Sequence, residues 1–411
     1  MPDSGDASLR LLIYSHDSFG LGHLSRCRAI AHSIVDHRSD ISVLILSGLP
    51  LIGSYAFKPR VDFIRFPGVV KLKNGSYTAR GLDVSIEDAI AIRESLIRCA
   101  AETFRPHMFL VDKEPLGLRG EVENTLRILK GKGTRLVLGL RDIMDDPDYL
   151  KFEWDRKEVI PALTDLYDDI WIYGRQQIYD PLAGIEVAKV VRDKITYTGY
   201  LRRGAAGPIV EAGTSGSASD EPSILVTTGG GGDGAELIDW VLSAYEHDRS
   251  LPYRAYIVLG PFMPADLQAR FKTRAERLPK VQVTTFIASL DKLMRRSLGV
   301  IAMGGYNTFC EILSYDKPAV IVPRTRPRLE QKIRAERMQE LGLVRMLDDD
   351  GNRHPARMAQ VIRSLPAQPR PSHVQIPGLL DGFESINQMV DNLLGREKPL
   401  PRERILALND V

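Results

Sequence analysis

The sequence predicts two doubly wound α/β domains in tandem, each a mostly parallel sheet with helices on both faces. Three observations lead there. Short, fully apolar runs alternate with longer segments of helical periodicity along most of the chain, which is how strands buried on both faces read in sequence. At 411 residues the chain is too long for one typical core. One stretch interrupts the pattern, "RRGAAGPIVEAGTSGSASDEPS" at 202–223, which is small, polar and rich in Gly and Ser, as a linker is.

In the first half the strands are "LLIYS", "SVLILS", "VDFIRF", "HMFLVD", "TRLVLGL", "DDIWIYG" and "ITYTG". After the interruption the pattern resumes with "SILVTT", "YRAYIVLG", "KVQVTTF", "LGVIAM" and "PAVIVP", interleaved with amphipathic helices such as "DLQARFKTRAERL". Residues 1–202 therefore read as an N-terminal domain, 203–222 as a linker and 223–373 as a second domain. Residues 374–395, "VQIPGLLDGFESINQMVDNLLG", read as a C-terminal helix free to pack back on the first domain, and 396–411 as a flexible tail. Sheets of this kind bind ligands beyond the carboxyl ends of their strands, so two facing each other define a cleft.

Composition narrows the function. A net charge of +2 gives no case for nucleic acid, which needs a strongly basic face, though a local basic patch for phosphates or a membrane surface stays open. Cys27, Cys99 and Cys310 are scattered and lack metal-ligand spacing, so they read as reduced thiols of a cytoplasmic protein. No apolar run reaches the length needed to span a bilayer, which leaves contact with the inner membrane face as the closest approach.

The chemistry sits at strand ends. "SHDSFGLGHLSRC" places Gly22 and His23 at the mouth of the first helix, where the positive helix end favours a neutral imidazole suited to general-base work. Asp112, in "FLVDKEPLG", ends another strand and can orient that ring, although an Asp there also reads as a turn residue. Arg141 and Asp142, in "LGLRDIMDDP", face the same cleft as candidates for acceptor contact. Lys71, Lys73 and Arg80 surround an Asn-Gly turn that reads as a mobile acceptor-side loop, or equally as a solvated surface loop.

In the second half, Gly229 to Gly232 follow a strand and precede a helix, so that backbone N–H groups, notably those of Gly230 and Gly231, can approach a phosphate. The G-x-G-x-x-G dinucleotide spacing is absent, and no P-loop lysine follows. "IAMGGYNTFCEILSYDKPAVIVP" turns at Gly304 and Gly305 and continues into a helix. Asn307 or Thr308 would cap that helix and Glu311 would favour its positive end; the alternative is a ligand.

These motifs together resemble the GT-B glycosyltransferases, in the group of the MurG-type N-acetylglucosaminyltransferases and the plant small-molecule UDP-sugar transferases. "FGLGHLSRC" is similar to their N-terminal glycine-histidine loop, and "MGGYNTFCE" to the plant nucleotide box. The resemblance implies that His23 is the base, that Gly305, Asn307 and Thr308 hold the diphosphate, and that Glu311 takes the ribose hydroxyls. It implies backbone contact to uracil near Phe286 and Ile287, and donor-sugar contacts from Glu330 and Gln331. Met303 stands where the plant box has a phosphate-binding His, so another group must supply that contact, with the backbone of Gly230 and Gly231 as candidate.

The resulting expectation is a glycosyltransferase moving a hexose or N-acetylglucosamine from a UDP-sugar to a hydroxyl of a glycan, glycolipid or small molecule. It would be inverting, with no cofactor and no metal, since no Asp-x-Asp motif accompanies the donor segments. The alternatives are a UDP-sugar 2-epimerase of the same fold and a non-catalytic nucleotide-sugar sensor, the second suggested by Met303 and Glu330.

Overall fold

The computed structural model describes residues 8–16, 21–71, 76–204, 222–287 and 289–395. Lys73, the tail 396–411 and linker positions 205–221 lie outside these residues.

The first domain holds strands β1 (Leu9–Ser15), β2 (Ile41–Ser47), β3 (Val61–Arg65), β4 (Val69–Lys71), β5 (Tyr77–Ala79), β6 (Met108–Asp112), β7 (Arg135–Arg141), β8 (Asp169–Tyr173) and β9 (Ile195–Tyr197). Seven of them form one parallel sheet in the order β3-β2-β1-β6-β7-β8-β9. Its centre is the most apolar part of the chain: Leu11 to Tyr14 on β1 and Met108 to Val111 on β6 are fully buried, because helices cover both faces. Those helices are α1 (Gly22–His37), α2 (Ile86–Phe104), α3 (Glu123–Gly131), α4 (Pro147–Arg156), α5 (Val159–Asp165) and the short α6 (Lys189–Arg192).

β4 and β5 pair antiparallel, with Val69 opposite Ala79. The segment read as a mobile loop is thus a hairpin, in which Val69 is buried and Arg80 lies 5.7 Å from the Phe262 ring of the other domain. The sequence hid this because β4 and β5 are only three residues each, too short to show an alternating pattern.

The second domain is a six-stranded parallel sheet in the order β12-β11-β10-β13-β14-β15. Its strands are β10 (Ser223–Thr227), β11 (Arg254–Val258), β12 (Val281–Thr284), β13 (Val300–Ala302), β14 (Ala319–Ile321) and β15 (Arg345–Met346). Its helices are α7 (Ala235–His247), α8 (Ala265–Glu276), α9 (Asp291–Arg296), α10 (Tyr306–Ser314), α11 (Glu330–Glu340) and α12 (Pro355–Ser364). The last helix, α13, runs from Gly382 to Leu394, eight residues later than the pattern predicted, because 371–381 forms a 3-10 turn and a loop. It packs along α1, where Asp391 pairs with His37 and Arg38 at 2.8 and 2.9 Å.

In each sheet the strand order reverses direction at one place, between β1 and β6 in the first and between β10 and β13 in the second. Crevices open at the carboxyl ends of strands at such points. Among the described residues no helix is long and apolar enough to cross a membrane.

Candidate active site

The two reversal points face each other across a cleft of about 960 Å³. Four polypeptide ends supply its core: the start of α1, the end of β7, the glycine loop after β10, and the turn from β13 into α10.

At the first reversal point His23 Nδ1 lies 2.6 Å from Asp112 Oδ2. Arg26, three residues after His23 and therefore on the same helical face, donates to both Asp112 oxygens at 2.8 and 2.7 Å. Arg26 Nη2 also lies 3.1 Å from His23 Nδ1. Since the ionised Asp112 carboxylate can only accept, Nδ1 carries the proton and donates it to Asp112, and Nε2 carries the free lone pair. Burial lowers the His23 pKa to about 4, against the raising effect of Asp112, so the ring is neutral at neutral pH. Burial alone would raise the Asp112 carboxyl, but the charge of Arg26 and the hydrogen bond from His23 hold it well below the usual range. The pair is a neutral imidazole oriented by a fixed carboxylate.

On the opposite side, α10 begins at Gly305, which is its N-cap and offers no side chain to the free N–H groups. Neither Asn307 nor Thr308 caps it. Both sit in the first turn and line the cleft, and nothing stands within 4 Å of where a Cβ on Gly305 would be. α1 begins in the same way, with no capping side chain and no acidic residue in its first turn. Two bare helix N-termini thus border the cleft, an arrangement that favours an anion.

Asn307 is engaged. Its amide donates to the Gly22 carbonyl at 2.9 Å and its Oδ1 accepts from Arg203 at 2.7 Å. Arg203 opens the segment read as a linker, and its side chain turns into the cleft, where it also donates to the Ser25 carbonyl at 3.2 Å while its Nε is buried and unpartnered. Glu311, one turn after Asn307, makes no hydrogen bond or ion pair among the described residues. Burial, with help from Asp291 and against Arg203, pushes its pKa up to about 7.

Gly230 lines the cleft, but Gly231 does not. Gly231 is buried with φ +89°, and a Cβ there would stand 2.3 Å from the Leu259 carbonyl, so this glycine is required by the close approach of the β10 and β11 loops. Phe286 and half-exposed Ile287 line the mouth near α9. Glu330 and Gln331 open α11 at the inner end of the cleft. Glu330 Oε1 accepts from Arg324, while Oε2 is buried and unpartnered. Burial works to raise its pKa, and Arg141, Arg324 and Arg334 outweigh that.

Asp142 is not an acceptor contact. It is buried in a bidentate pair with Arg334 of the other domain at 2.6 and 2.9 Å, and also accepts from Tyr200 at 3.0 Å. A strand-end Asp gives no sequence signal that its partner lies 192 residues away. Sequence reading also passed over Arg26, Arg203 and Arg324. Arg26 had a signal, its i, i+3 spacing from His23; Arg203 and Arg324 lie in arginine-containing loops, "YLRRG" and "PRTRPR", where any one residue looks like another. Among the described residues no group of three or more His, Cys, Asp or Glu is arranged to hold a metal ion.

Residues 223–372 match the family model of the glycosyltransferase family 28 C-terminal domain. No curated protein matches the chain in sequence. Among solved structures, the calicheamicin glycosyltransferase CalG4 superposes with a TM-score of 0.61 at 14% identity, over 95% of this chain and 100% of that one. MurG of Acinetobacter baumannii gives 0.52 at 12% identity, over 97% and 98%. The UDP-GlcNAc 2-epimerase of Neisseria meningitidis, bound to UDP-GlcNAc, gives 0.56 at 12% identity, over 94% and 100%. At these identities the likeness is one of fold, and the chain has the GT-B fold along its length.

Proposed function

We propose, for a chain with the GT-B fold and a family 28 C-terminal domain, that this protein is a glycosyltransferase moving a sugar from a UDP-sugar to an acceptor hydroxyl with inversion. The observation that carries this reading is the oriented, neutral His23 at one reversal point, opposite an anion-favouring helix N-terminus at the other.

In the reaction His23 Nε2 takes the acceptor hydroxyl proton as that oxygen attacks the anomeric carbon. The bond from that carbon to the β-phosphate oxygen breaks, its electron pair leaves with UDP, and the single displacement inverts the centre. Asp112 holds the ring and stabilises the imidazolium as it forms. The negative charge that grows on UDP is met by the N-termini of α1 and α10 and by Arg203, which takes the place of the His that Met303 replaces. Glu311, a carboxylate without a partner one turn into α10, is suited to a vicinal diol such as the ribose, since two acceptor oxygens meet two donors. Glu330 Oε2 and Gln331 are left for sugar hydroxyls. No step requires a metal or a cofactor.

The likeness to a UDP-GlcNAc 2-epimerase favours a second reading, conversion of the UDP-sugar alone. Incubation with UDP-sugars, with and without candidate acceptors, separates the two. Transfer releases UDP in proportion to added acceptor. Sugar isomerised at C2 without any acceptor would overturn the transferase reading.

A further inference from the structure

Arg141 ends β7 and lines the cleft. It makes no hydrogen bond and no ion pair among the described residues, and its Nε is buried. The side chain is half-buried, and a buried Nε without a partner is unusual, because the water it loses must be replaced by another acceptor. Two of the nearby carboxylates are taken. Asp142, its chain neighbour, is held in both oxygens by Arg334. Asp112 is held in both by Arg26. Glu330 accepts from Arg324 through Oε1, and its charge attracts Arg141 without a hydrogen bond or ion pair between them. Burial, together with the charges of Arg334 and Arg26 and against those of Glu330 and Asp142, brings the Arg141 pKa down to about 10.

The neighbouring strand end is also unusual. Lys113 follows Asp112 with φ +72°, a left-handed backbone that a lysine adopts only when its surroundings impose it, and its amide bonds to the Gly139 carbonyl of β7 at 2.8 Å. Its ammonium pairs with Glu114 at 3.0 Å, and Glu114 is shared with Lys157. Lys113 is thus spent on Glu114 away from the cleft lining, and Arg141 is the cation that the end of β7 presents to the cleft.

We propose that Arg141 is a subsite for a carboxylate or phosphate carried by one of the two substrates at its reacting end, distinct from the UDP diphosphate. The planar guanidinium fork fits either group in a bidentate fashion. This rests on the UDP-sugar reading above. The anion comes either from the donor, as a uronic acid, or from the acceptor, as an acidic or phosphorylated sugar.

Calorimetry on the whole chain tests it in two arms. UDP-glucose is compared with UDP-glucuronic acid; then, with UDP saturating, glucose is compared with glucuronate and glucose 6-phosphate. In one arm the anionic probe is expected to bind roughly 10- to 150-fold more tightly than its neutral counterpart, the range of a charge-assisted hydrogen bond. Arg141→Gln should erase that preference and leave UDP affinity unchanged, and Arg141→Lys should restore part of it. A preference in the donor arm names the sugar, and one in the acceptor arm names the acceptor. No preference in either arm, or an equal loss of UDP affinity in Arg141→Gln, overturns the subsite. Failure of the wild-type protein to bind UDP would overturn the donor reading itself, and the subsite with it.

Discussion

Asp142→Ala separates two roles for one residue. If Asp142 touched acceptor, its loss would raise the acceptor KM and leave stability alone. In the structure it is instead the buried partner of Arg334, each side chain about 1% exposed, with Tyr200 and the Ile143 amide completing its hydrogen bonds. Removing one member of such a pair leaves the other charge buried without compensation, which costs about 3–5 kcal/mol. For domains of this size that corresponds to a fall in Tm of roughly 6–20 °C. The same Arg334 donates to the Gly304 carbonyl at 3.1 Å, so the pair also fixes the β13–α10 turn relative to His23. Thermal melts followed by circular dichroism should show the full loss in Asp142→Ala and in Arg334→Ala. The double change Asp142→Leu with Arg334→Met should recover much of it, because an apolar pair of similar volume leaves no charge stranded. A fully stable Asp142→Ala protein with a raised acceptor KM would refute the assignment.

Other outcomes follow from the same geometry. Glu311 titrates near pH 7, and only its carboxylate accepts from two ribose hydroxyls, so the affinity for UDP-glucose should fall up to about tenfold from pH 8 to pH 6. Glu311→Gln should remove that slope in calorimetry, and a slope that survives counts against the ribose contact. Arg203→Ala should weaken UDP roughly 10- to 150-fold with Arg203→Lys intermediate, and unchanged binding would leave the diphosphate to the helix ends alone. Because guanidinium and backbone N–H groups meet the leaving group, EDTA should leave the transfer rate unchanged; inhibition rescued by Mg²⁺ or Mn²⁺ would contradict this.

The fold was legible because a strand buried on both faces must be apolar throughout, and Leu11 to Tyr14 or Ile224 to Val226 have no other reading at that spacing. His23 and Asp112 were legible because both follow strands that flank a reversal point. What the sequence hid was pairing. Asn307 and Thr308 fit both a cap and a ligand contact, and only the bond from Asn307 to Gly22, 285 positions away, shows that the first turn of α10 meets the other domain. Asp142 and Arg141 are neighbours with the same apparent promise, yet Arg334 takes one, while among the described residues the side chain of the other makes no hydrogen bond or ion pair. Gly231 is held to glycine by its positive φ and by the Leu259 carbonyl and Gly260 beside it. Each of these distinctions depends on a residue from a distant part of the chain, which local pattern does not encode.

His23 is proposed as the base, with the nucleotide held chiefly by the second domain. With a pKa of about 4 the wild-type imidazole is neutral across the ordinary range, so kcat at saturating donor should stay level down to about pH 5 and fall as the ring protonates below that. The most direct measurement is the transfer rate and the UDP-sugar affinity of His23→Ala in the same preparation. Affinity should be unchanged and kcat reduced by roughly 10²–10⁴-fold, the usual cost of losing a general base. A protein that binds UDP-sugar normally and still transfers at close to the wild-type rate would contradict that role for His23.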